Sequence, residues 1–341
     1  MQLHLLLPGL LWPARVLHDC AYDLELPALA RLLGRGRILW QEPLALEQAL
    51  CREFAVVGDQ PPYAALRLLG EGIAAAEGTW LCADPSHLAI EQGRLTLGSE
   101  DLAIGAAEMQ ELLAAVQPLL CELPGFLGLR AGAAGSGHAY LQLQTPPQLL
   151  TTPPSAARGF SVDDALPRGA QAQSWLKIGN EVQMALHALP GNPRREAEGR
   201  PVINSLWFWG AGALPVPPQA PPYTTVLGAG ALLHGLARWS AVASGPLPER
   251  FAAAPRQGAT LICLEQLAAP TQALDVDAWR KALLELERNW FAPIAAAFFS
   301  GRLGALRITA LGSEAAFEFS LRSSDRLRFW TRPRPLASLS P

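Results

Sequence analysis

The stretch Ala259–Leu311 decides the fold, because two apolar runs flank one long helical pattern. ATLICLEQL (Ala259–Leu267) and ALRITAL (Ala305–Leu311) are short segments rich in apolar residues, and we predict a strand in each. Between them, DAWRKALLELERNWFAPIAAAFF (Asp277–Phe299) has the length and spacing of a helix. A strand, a helix and a second strand in this order predict a parallel pair with a helical crossover.

The same alternation continues on both sides of this stretch. TTVLG (Thr224–Gly228) predicts a strand, and ALLHGLARWSAV (Ala231–Val242) predicts the helix after it. At the start of the chain, Leu3–Leu7 is an apolar run stopped by Pro8 and Gly9, and LELPALARLLGRG (Leu24–Gly36) follows as a helix. We therefore expect an α/β fold with a mostly parallel sheet covered by helices.

The middle of the chain has a different pattern, bounded by the proline-rich stretches 145–154 and 214–222. Between them, 175–189 predicts a helix, 190–201 a polar loop, and VINSLWFWG (Val202–Gly210) a strand. Upstream, Thr79–Gly98 predicts strands joined by an Asp-Pro turn and a Gln-Gly turn. Near the end, AFEFSL (316–321) and RLRFW (326–330) predict two more strands.

Composition excludes several classes of partner. The chain has 27 basic and 30 acidic residues with no basic run, which gives no footprint for nucleic acid. No uninterrupted apolar stretch reaches the roughly 18 residues of a membrane span, so we expect no membrane partner. The opening apolar run has no Lys or Arg ahead of it, which favours a core strand over a signal peptide.

The cysteines indicate the compartment. They are odd in number, widely spaced and without a CxxC pair: Cys20, Cys51, Cys82, Cys121 and Cys263. We expect buried free thiols and a cytoplasmic protein.

The segment HALPGNPRREAEGRPVINSLWFWGAG (His187–Gly212) resembles a signature of the cofactor-independent phosphoglycerate mutases, especially the archaeal type. In that family a His-Pro-Val-Asn-x-x-Arg segment precedes a Gly, an Asn and a strand that ends in Gly-x-Gly. Gly191 departs from the usual valine. The matching positions are Pro190, Asn192, Arg195, Gly199, Asn204, Trp207, Gly210 and Gly212.

Shorter segments resemble the same family in the same order, so that the resemblance covers most of the chain. LPGLLWP (7–13) and DRLRFWTRPRPL (325–336) resemble more closely the bacterial RpfE-type regulatory proteins, a branch of that family. The resemblance implies an alkaline-phosphatase-like core formed by residues 1–60 and 223–341. It also implies an inserted α+β domain at 61–222.

The resemblance further implies two divalent metals held by Asp and His, with a Ser or Thr nucleophile. The matching positions carry other residues. Pro8-Gly9 replaces an Asp-Gly, Ala310-Leu311 replaces an Asp-His, and Gln60-Pro61-Pro62-Tyr63 replaces the Gly-Ser-Asp of the nucleophile. After Ala259–Leu267 there are Asp275 and Asp277 but no His. We predict no catalytic residue, no metal and no cofactor.

A binding role remains open for the central signature. Asn192, Arg194, Arg195 and Asn204 combine guanidinium and amide donors, the set that holds a small anionic ligand through forked hydrogen bonds. Alternatively, the two asparagines cap turns and Arg195 pairs with Glu196 or Glu181. The arginine-rich tail around Trp330 is a candidate segment for binding a protein partner, or else an edge strand followed by a solvated terminus.

Three functions compete on these grounds. The first is a non-catalytic regulatory or ligand-binding protein on a mutase scaffold. The second is a metal-dependent phosphoglycerate mutase or phosphatase with unrecognised ligands. The third is a metal-free hydrolase that uses Ser136 and His138, which needs an acidic side chain to orient the imidazole and an oxyanion site nearby.

Overall fold

The computed structural model describes residues 1–56, 58–75, 77–91, 93–98, 102–158, 160–251 and 258–341. The strands are β1 (Gln2–Leu11), β2 (Arg37–Gln41), β3 (Thr79–Ser86), β4 (Leu88–Glu91), β5 (Arg94–Leu97), β6 (Phe126–Ala131), β7 (Ala139–Leu143), β8 (Ser205–Gly212), β9 (Thr225–Leu227), β10 (Ala243–Gly245), β11 (Ala259–Cys263), β12 (Ala305–Gly312) and β13 (Ala316–Arg322). The helices are α1 (Ala14–Ala21), α2 (Pro27–Leu33), α3 (Leu46–Glu53), α4 (Tyr63–Gly70), α5 (Ala106–Leu120), α6 (Pro154–Ala157), α7 (Val162–Ala165), α8 (Ala172–His187), α9 (Gly191–Ala197), α10 (Ala231–Trp239), α11 (Ala268–Gln272), α12 (Val276–Leu286) and α13 (Ala292–Phe299).

The chain divides into two compact units. The first unit comprises Met1–Leu46, Gln219–Gly230 and Ala241–Pro341, and the second comprises Glu47–Pro218 and Ala231–Ser240. The division of the chain into a core of residues 1–60 and 223–341 and an inserted domain at 61–222 stays a prediction.

The first unit is built on a sheet with the order β10-β9-β11-β1-β12-β13-β2. The five strands from β10 to β12 run parallel, and β13 and β2 are antiparallel to their neighbours. Strand β1 lies in the middle, and its residues are buried on both faces from Leu3 to Pro8. The predicted α/β class with a mostly parallel, helix-covered sheet is confirmed.

The predicted long helix of the first unit is formed by α12 and α13. A π-helical turn at Glu287–Phe291 joins the two helices. Trp279, Trp290 and Phe298 point inward from this continuous element and are at most 2% exposed. Burial of this many large rings is a major part of the hydrophobic stabilisation of this unit.

The second unit contains an antiparallel sheet with the order β6-β7-β3-β8 and a separate hairpin of β4 and β5. Its core lies where α5 and α8 pack, with Leu112, Val116, Val182 and Leu186 fully buried. Helices α4 and α10 approach backbone to backbone, since a Cβ on Gly70 would lie 1.7 Å from the Ala231 carbonyl oxygen. Glycine is therefore required at this crossing.

Two predictions for the second unit are wrong. Asp84-Pro85 is not a turn but the interior of β3. The pairing of β3 with β7 ends at Cys82, so the missing N–H of Pro85 falls where β3 is bonded to β8 alone. The predicted polar loop 190–201 contains helix α9, with Pro193 in its first turn. Gln92 of the predicted Gln-Gly turn lies outside the described residues.

Two predictions for the first unit are also wrong. Strand β1 does not stop at Pro8 and Gly9 but continues to Leu11, with an irregular register after Pro8, and RLRFW is not a strand. Residues Ser323–Leu327 form a 3₁₀ helix, and the Asp325 side chain caps it by accepting from the Arg322 backbone N–H at 2.8 Å. The chain leaves the sheet at Arg322, where β13 has already completed its pairing with β12.

Four cysteines are buried as expected, and Cys121 is exposed. None of the helices in the described residues has the length and apolarity needed to cross a lipid bilayer.

Candidate functional site

The carboxyl edge of the parallel strands in the first unit is where open α/β sheets bind their ligands. At the ends of the two central strands, β1 and β12, that edge is apolar, while Glu265 follows β11 and is half-buried. β1 ends in Leu10 and Leu11, which are 1 and 3% exposed, and Trp12 directly after it is 7% exposed. Ala310 and Leu311 at the end of β12 are 0 and 4% exposed. These side chains fill the edge.

Trp279 of α12 closes this edge over the end of β1. Its indole N–H donates to the Gly9 carbonyl oxygen at 2.8 Å, and its ring meets Trp12 edge-on with centroids 6.0 Å apart. Thr271 donates to the same carbonyl oxygen at 2.9 Å. A Cβ at Gly9, where φ is +78°, would lie 2.5 Å from the Leu267 carbonyl oxygen, so the chain is tightly packed where the resemblance places a metal ligand.

The residues at this edge do not fit the two divalent metals that the resemblance implies. The side chains of proline, alanine and leucine contain no oxygen, nitrogen or sulfur atom that could coordinate a metal ion. Asp275 comes after β11 in the chain. It is the N-cap of α12 and accepts from the Ala278 N–H at 2.9 Å. In the part of the chain that the structure describes, no three His, Cys, Asp or Glu side chains are grouped so as to hold a metal ion.

A small pocket of about 50 Å³ opens beside this edge. Its walls are mainly apolar and include Leu11, Trp12, Leu17, Trp40 and Leu339, with Glu314 as the charged member. The indole N–H of Trp12 is buried without a hydrogen-bond partner. The pocket has room for about one small group, and the carboxylate of Glu314 opposes an anion there.

The two asparagines of the predicted ligand-binding set tie the second unit together. The Asn192 amide donates to the carbonyl oxygens of Leu186 and Ile203 at 2.9 and 3.0 Å and accepts from the Ile203 N–H at 2.9 Å. Asn204 pairs with both backbone groups of Leu88, accepting at 2.7 Å and donating at 2.8 Å. Both amides thus link α9 or the start of β8 to neighbouring backbone.

The two arginines of that set differ in exposure. Arg195 is 1% exposed and donates to the carbonyl oxygens of Pro201 and Leu102, while its ion pair is with Glu108 at 3.1 Å rather than with Glu196 or Glu181. Arg194 is 70% exposed in its side chain and lies 3.6 Å from Glu111. Arg194 is therefore the member of the set whose guanidinium faces solvent. A ligand role for the four residues stays a prediction.

A buried polar network in the second unit was not predicted. Arg67 of α4 donates both terminal nitrogens to the carboxylate of Asp84, at 2.7 and 2.6 Å, and its Nε donates to the Tyr140 hydroxyl at 2.7 Å. The Trp209 indole N–H also donates to Asp84, at 2.8 Å. Burial alone would raise the pKa of Asp84, but the charge and hydrogen bonds of Arg67 hold it below its ordinary value.

The network reaches the surface at His138. Glu71 accepts from the Tyr140 hydroxyl at 2.7 Å and from the Ala133 N–H at 2.7 Å, and it lies 2.5 Å from His138 Nδ1. Glu71 is thus the acidic side chain that the hydrolase hypothesis required. The Ser136 hydroxyl, however, accepts from the His138 backbone N–H at 3.2 Å. That geometry stabilises the loop between β6 and β7.

One signal in the sequence could have revealed this network. Arg67 and Glu71 stand four positions apart in an apolar helix, and charged groups on one helical face at that spacing need partners when the face is buried. Their partners His138 and Tyr140 lie about 70 positions along the chain, and Asp84 stands in a predicted turn, which is why the pairing could not be predicted.

Replacing Glu71 with glutamine is expected to lower the free energy of unfolding by about 2–3 kcal/mol at pH 7, because charged hydrogen bonds are lost. Burial raises the pKa of Glu71, but its hydrogen bonds to His138, Tyr140 and Ala133 outweigh burial and bring the pKa below its ordinary value. The stabilisation is therefore present above the unfolded-state pKa and is lost as the pH falls through the folded-state pKa.

Urea unfolding of wild type and Glu71→Gln between pH 3 and pH 7 checks this prediction. The difference should shrink towards acid pH, while the exposed control Glu91→Gln should change little at any pH. A difference that is constant with pH would contradict the assigned direction.

The fold and this geometry define a two-unit α/β protein whose sheet edge is closed by apolar side chains. No protein-family model matches the chain. Over 132 residues, 38% of the chain, it is 29% identical to a probable 2,3-bisphosphoglycerate-independent phosphoglycerate mutase of Geobacter sulfurreducens. Over 152 residues, 43% of the chain, it is 26% identical to a 2,3-bisphosphoglycerate-independent phosphoglycerate mutase of Methanosarcina barkeri.

These sequence matches relate the chain to the cofactor-independent phosphoglycerate mutases, including archaeal ones. The matched part spans about a third of the length of these two relatives, 32 and 35%. Among solved structures, the cofactor-independent phosphoglycerate mutase of Thermoplasma acidophilum aligns over 93% of this chain and 89% of its own, with 16% identity and a TM-score of 0.45.

Proposed function

We propose that this chain is a non-catalytic, phosphoglycerate-mutase-like protein that acts by binding, as a regulatory protein of the RpfE type. The observation that carries the proposal is the apolar closure of the sheet edge by Leu10, Leu11, Trp12, Leu311 and Trp279. A catalytic edge needs room for substrate and donor atoms that point into it. Here these five side chains are packed as core at the edge where substrate and metal would bind.

This packing means that restoring a single ligand would not restore a metal site. A lone carboxylate at Pro8 or Leu311 would be buried among apolar side chains without a partner, which is costly. Each restored ligand would therefore also require the surrounding rings to be cut back. The scaffold is retained while its reaction site is not, since folds outlast particular activities.

The proposed ligand is a small anion or a protein partner. For an anion, Arg194 is the contact residue, because its side chain is 70% exposed. The anion would have to displace the carboxylate of Glu111, which lies 3.6 Å from the Arg194 guanidinium. The buried Arg195 would position α9 through Glu108 and the Pro201 carbonyl oxygen. In this arrangement Arg194→Ala weakens anion binding without unfolding the protein.

The competing function is a metal-dependent phosphoglycerate mutase or phosphatase, and a turnover assay separates the two. The full chain, incubated with Mn²⁺ and 3-phosphoglycerate, should form no 2-phosphoglycerate above a blank. A Methanosarcina mazei 2,3-bisphosphoglycerate-independent phosphoglycerate mutase assayed alongside serves as the positive control. Turnover that a chelator abolishes would overturn the proposal.

A further inference from the structure

Three large apolar side chains stand in solvent within four consecutive positions of the first unit. Leu327, Phe329 and Trp330 are 73, 80 and 67% exposed. The two rings pack edge-on against each other, with centroids 5.2 Å apart and planes at 80°. Single exposed apolar residues are common, but a cluster that includes two aromatic rings marks an interaction site.

Arginines surround these three residues. Segment 322–334 contains five arginines and one acidic residue, Asp325, in a chain whose net charge is −3. Asp325 is already engaged by the Arg322 N–H at 2.8 Å and by Arg328 at 3.4 Å. The arginine–aromatic surface, meaning Leu327, Phe329 and Trp330 with the arginines of 322–334, is therefore strongly positive.

The surface is held in a fixed shape although it is exposed. Arg35 after α2 donates to the Arg326 carbonyl oxygen at 2.9 Å, and Arg328 donates in return to the Arg35 carbonyl oxygen at 3.0 Å. Beyond the rings, the Arg334 N–H donates to the Ala30 carbonyl oxygen, and Leu336 is 2% exposed in the core. A surface that is ordered before binding loses little conformational entropy on binding.

We infer that the arginine–aromatic surface binds an acidic segment of a partner protein in which carboxylates alternate with large apolar side chains. Guanidinium groups recognise carboxylates through paired hydrogen bonds, and Trp and Arg are the residues that dominate binding energy at interfaces. The inference rests on the proposed function only in that the chain acts by binding.

The interleaving of charges and rings favours a protein over a lipid surface. Arg326 and Arg328 flank Leu327, and Thr331 alone separates Trp330 from Arg332. Inserting these rings into hydrocarbon would draw guanidinium groups in with them, which is costly.

Selection from a random 16-residue peptide library displayed on phage tests the inference with the full chain as bait. The selected peptides should be enriched in Asp and Glu with interspersed aromatic or aliphatic residues. Their affinity, measured by calorimetry, should fall at least about tenfold for Phe329→Ser/Trp330→Ser and for Arg332→Glu, and it should weaken with salt. Matched controls are Ile90→Ser, at a position 79% exposed, and Arg94→Glu, which should leave binding unchanged.

Three results would overturn the inference. Selected peptides could lack acidic enrichment, or they could bind the Phe329/Trp330 variant as well as wild type. Alternatively, phosphatidylserine vesicles could bind wild type but not the variant while no peptide is selected, which would assign the surface to a membrane. In each case the absence of turnover, assayed separately, would leave the proposed function standing.

Discussion

Replacing Trp279 with alanine is expected to lower the free energy of unfolding by about 3–5 kcal/mol, the usual cost of emptying a buried aromatic site. Trp279 is 0% exposed, and its loss would also remove a hydrogen-bond donor from the Gly9 carbonyl oxygen. The proposed function holds that the sheet edge is packed as core where a catalytic pocket would lie. Trp279 closes that edge, so its removal should cost as much stability as removal of any other core tryptophan.

Urea unfolding followed by circular dichroism provides the measurement. Trp279→Phe keeps most of the volume and should cost less than the alanine variant. Trp330→Ala, at a position 67% exposed, is the matched control and should stay within about 0.5 kcal/mol of wild type. A Trp279→Ala effect as small as that of Trp330→Ala would show that the edge is not packed as core.

Breaking the Arg67–Asp84 pair is expected to destabilise the protein by about 3–5 kcal/mol, because one buried charge is left without its partner. The two side chains are 6 and 14% exposed and share two hydrogen bonds. Arg67 also lies over the rings of Tyr140 and Trp209, at 4.7 and 5.3 Å from their centroids. Arg67→Met should therefore lose ionic, hydrogen-bonding and cation–π contacts together.

A double-mutant cycle tests this second prediction. Arg67→Met/Asp84→Leu removes both charges and should recover a large part of the loss, since an apolar pair avoids the buried unpaired carboxylate. The exposed pair of Lys177 and Glu181, 3.7 Å apart, is the control, and Lys177→Met should cost less than about 0.5 kcal/mol. Additive single-variant effects at Arg67 and Asp84 would contradict the coupling.

The strands and helices of the first unit were predictable because local patterns decide them. Ala259–Leu267 and Leu3–Leu7 are apolar runs long enough for a buried strand, and 277–299 keeps an apolar face over its full length. The sheet order was not predictable. The central place of β1 between β11 and β12 depends on contacts between residues some 250 to 300 positions apart.

The errors occurred where distant partners override a local signal. Asp84-Pro85 has turn chemistry, yet Arg67 and Trp209 bind the Asp84 carboxylate and β8 pairs with Pro85, so the chain stays extended. Residues 191–197 are polar with Gly and Pro, yet they form α9, and Glu108 and Leu102 anchor it through Arg195. No pattern local to either segment carries that information.

For the candidate site, sequence comparison identified the replaced ligand positions but not what fills them. Pro8-Gly9 and Ala310-Leu311 were recognisable as departures from the resembled family. The closure of that edge by Trp279 and Trp12 depends on a packing contact between residues 267 positions apart, with ring centroids at 6.0 Å. The distinction between an altered pocket and a filled one therefore required the structure.

The central claim is that this chain retains a phosphoglycerate-mutase scaffold without its reaction site, and metal stoichiometry tests it most directly. The 341-residue chain would be incubated with Mn²⁺ and Zn²⁺, desalted and analysed for bound metal per chain. We predict far less than one metal ion per chain, because the ends of β1 and β12 offer leucine, alanine, proline and tryptophan side chains in place of carboxylates and imidazoles. A value near two metal ions per chain, retained after desalting, would contradict the account.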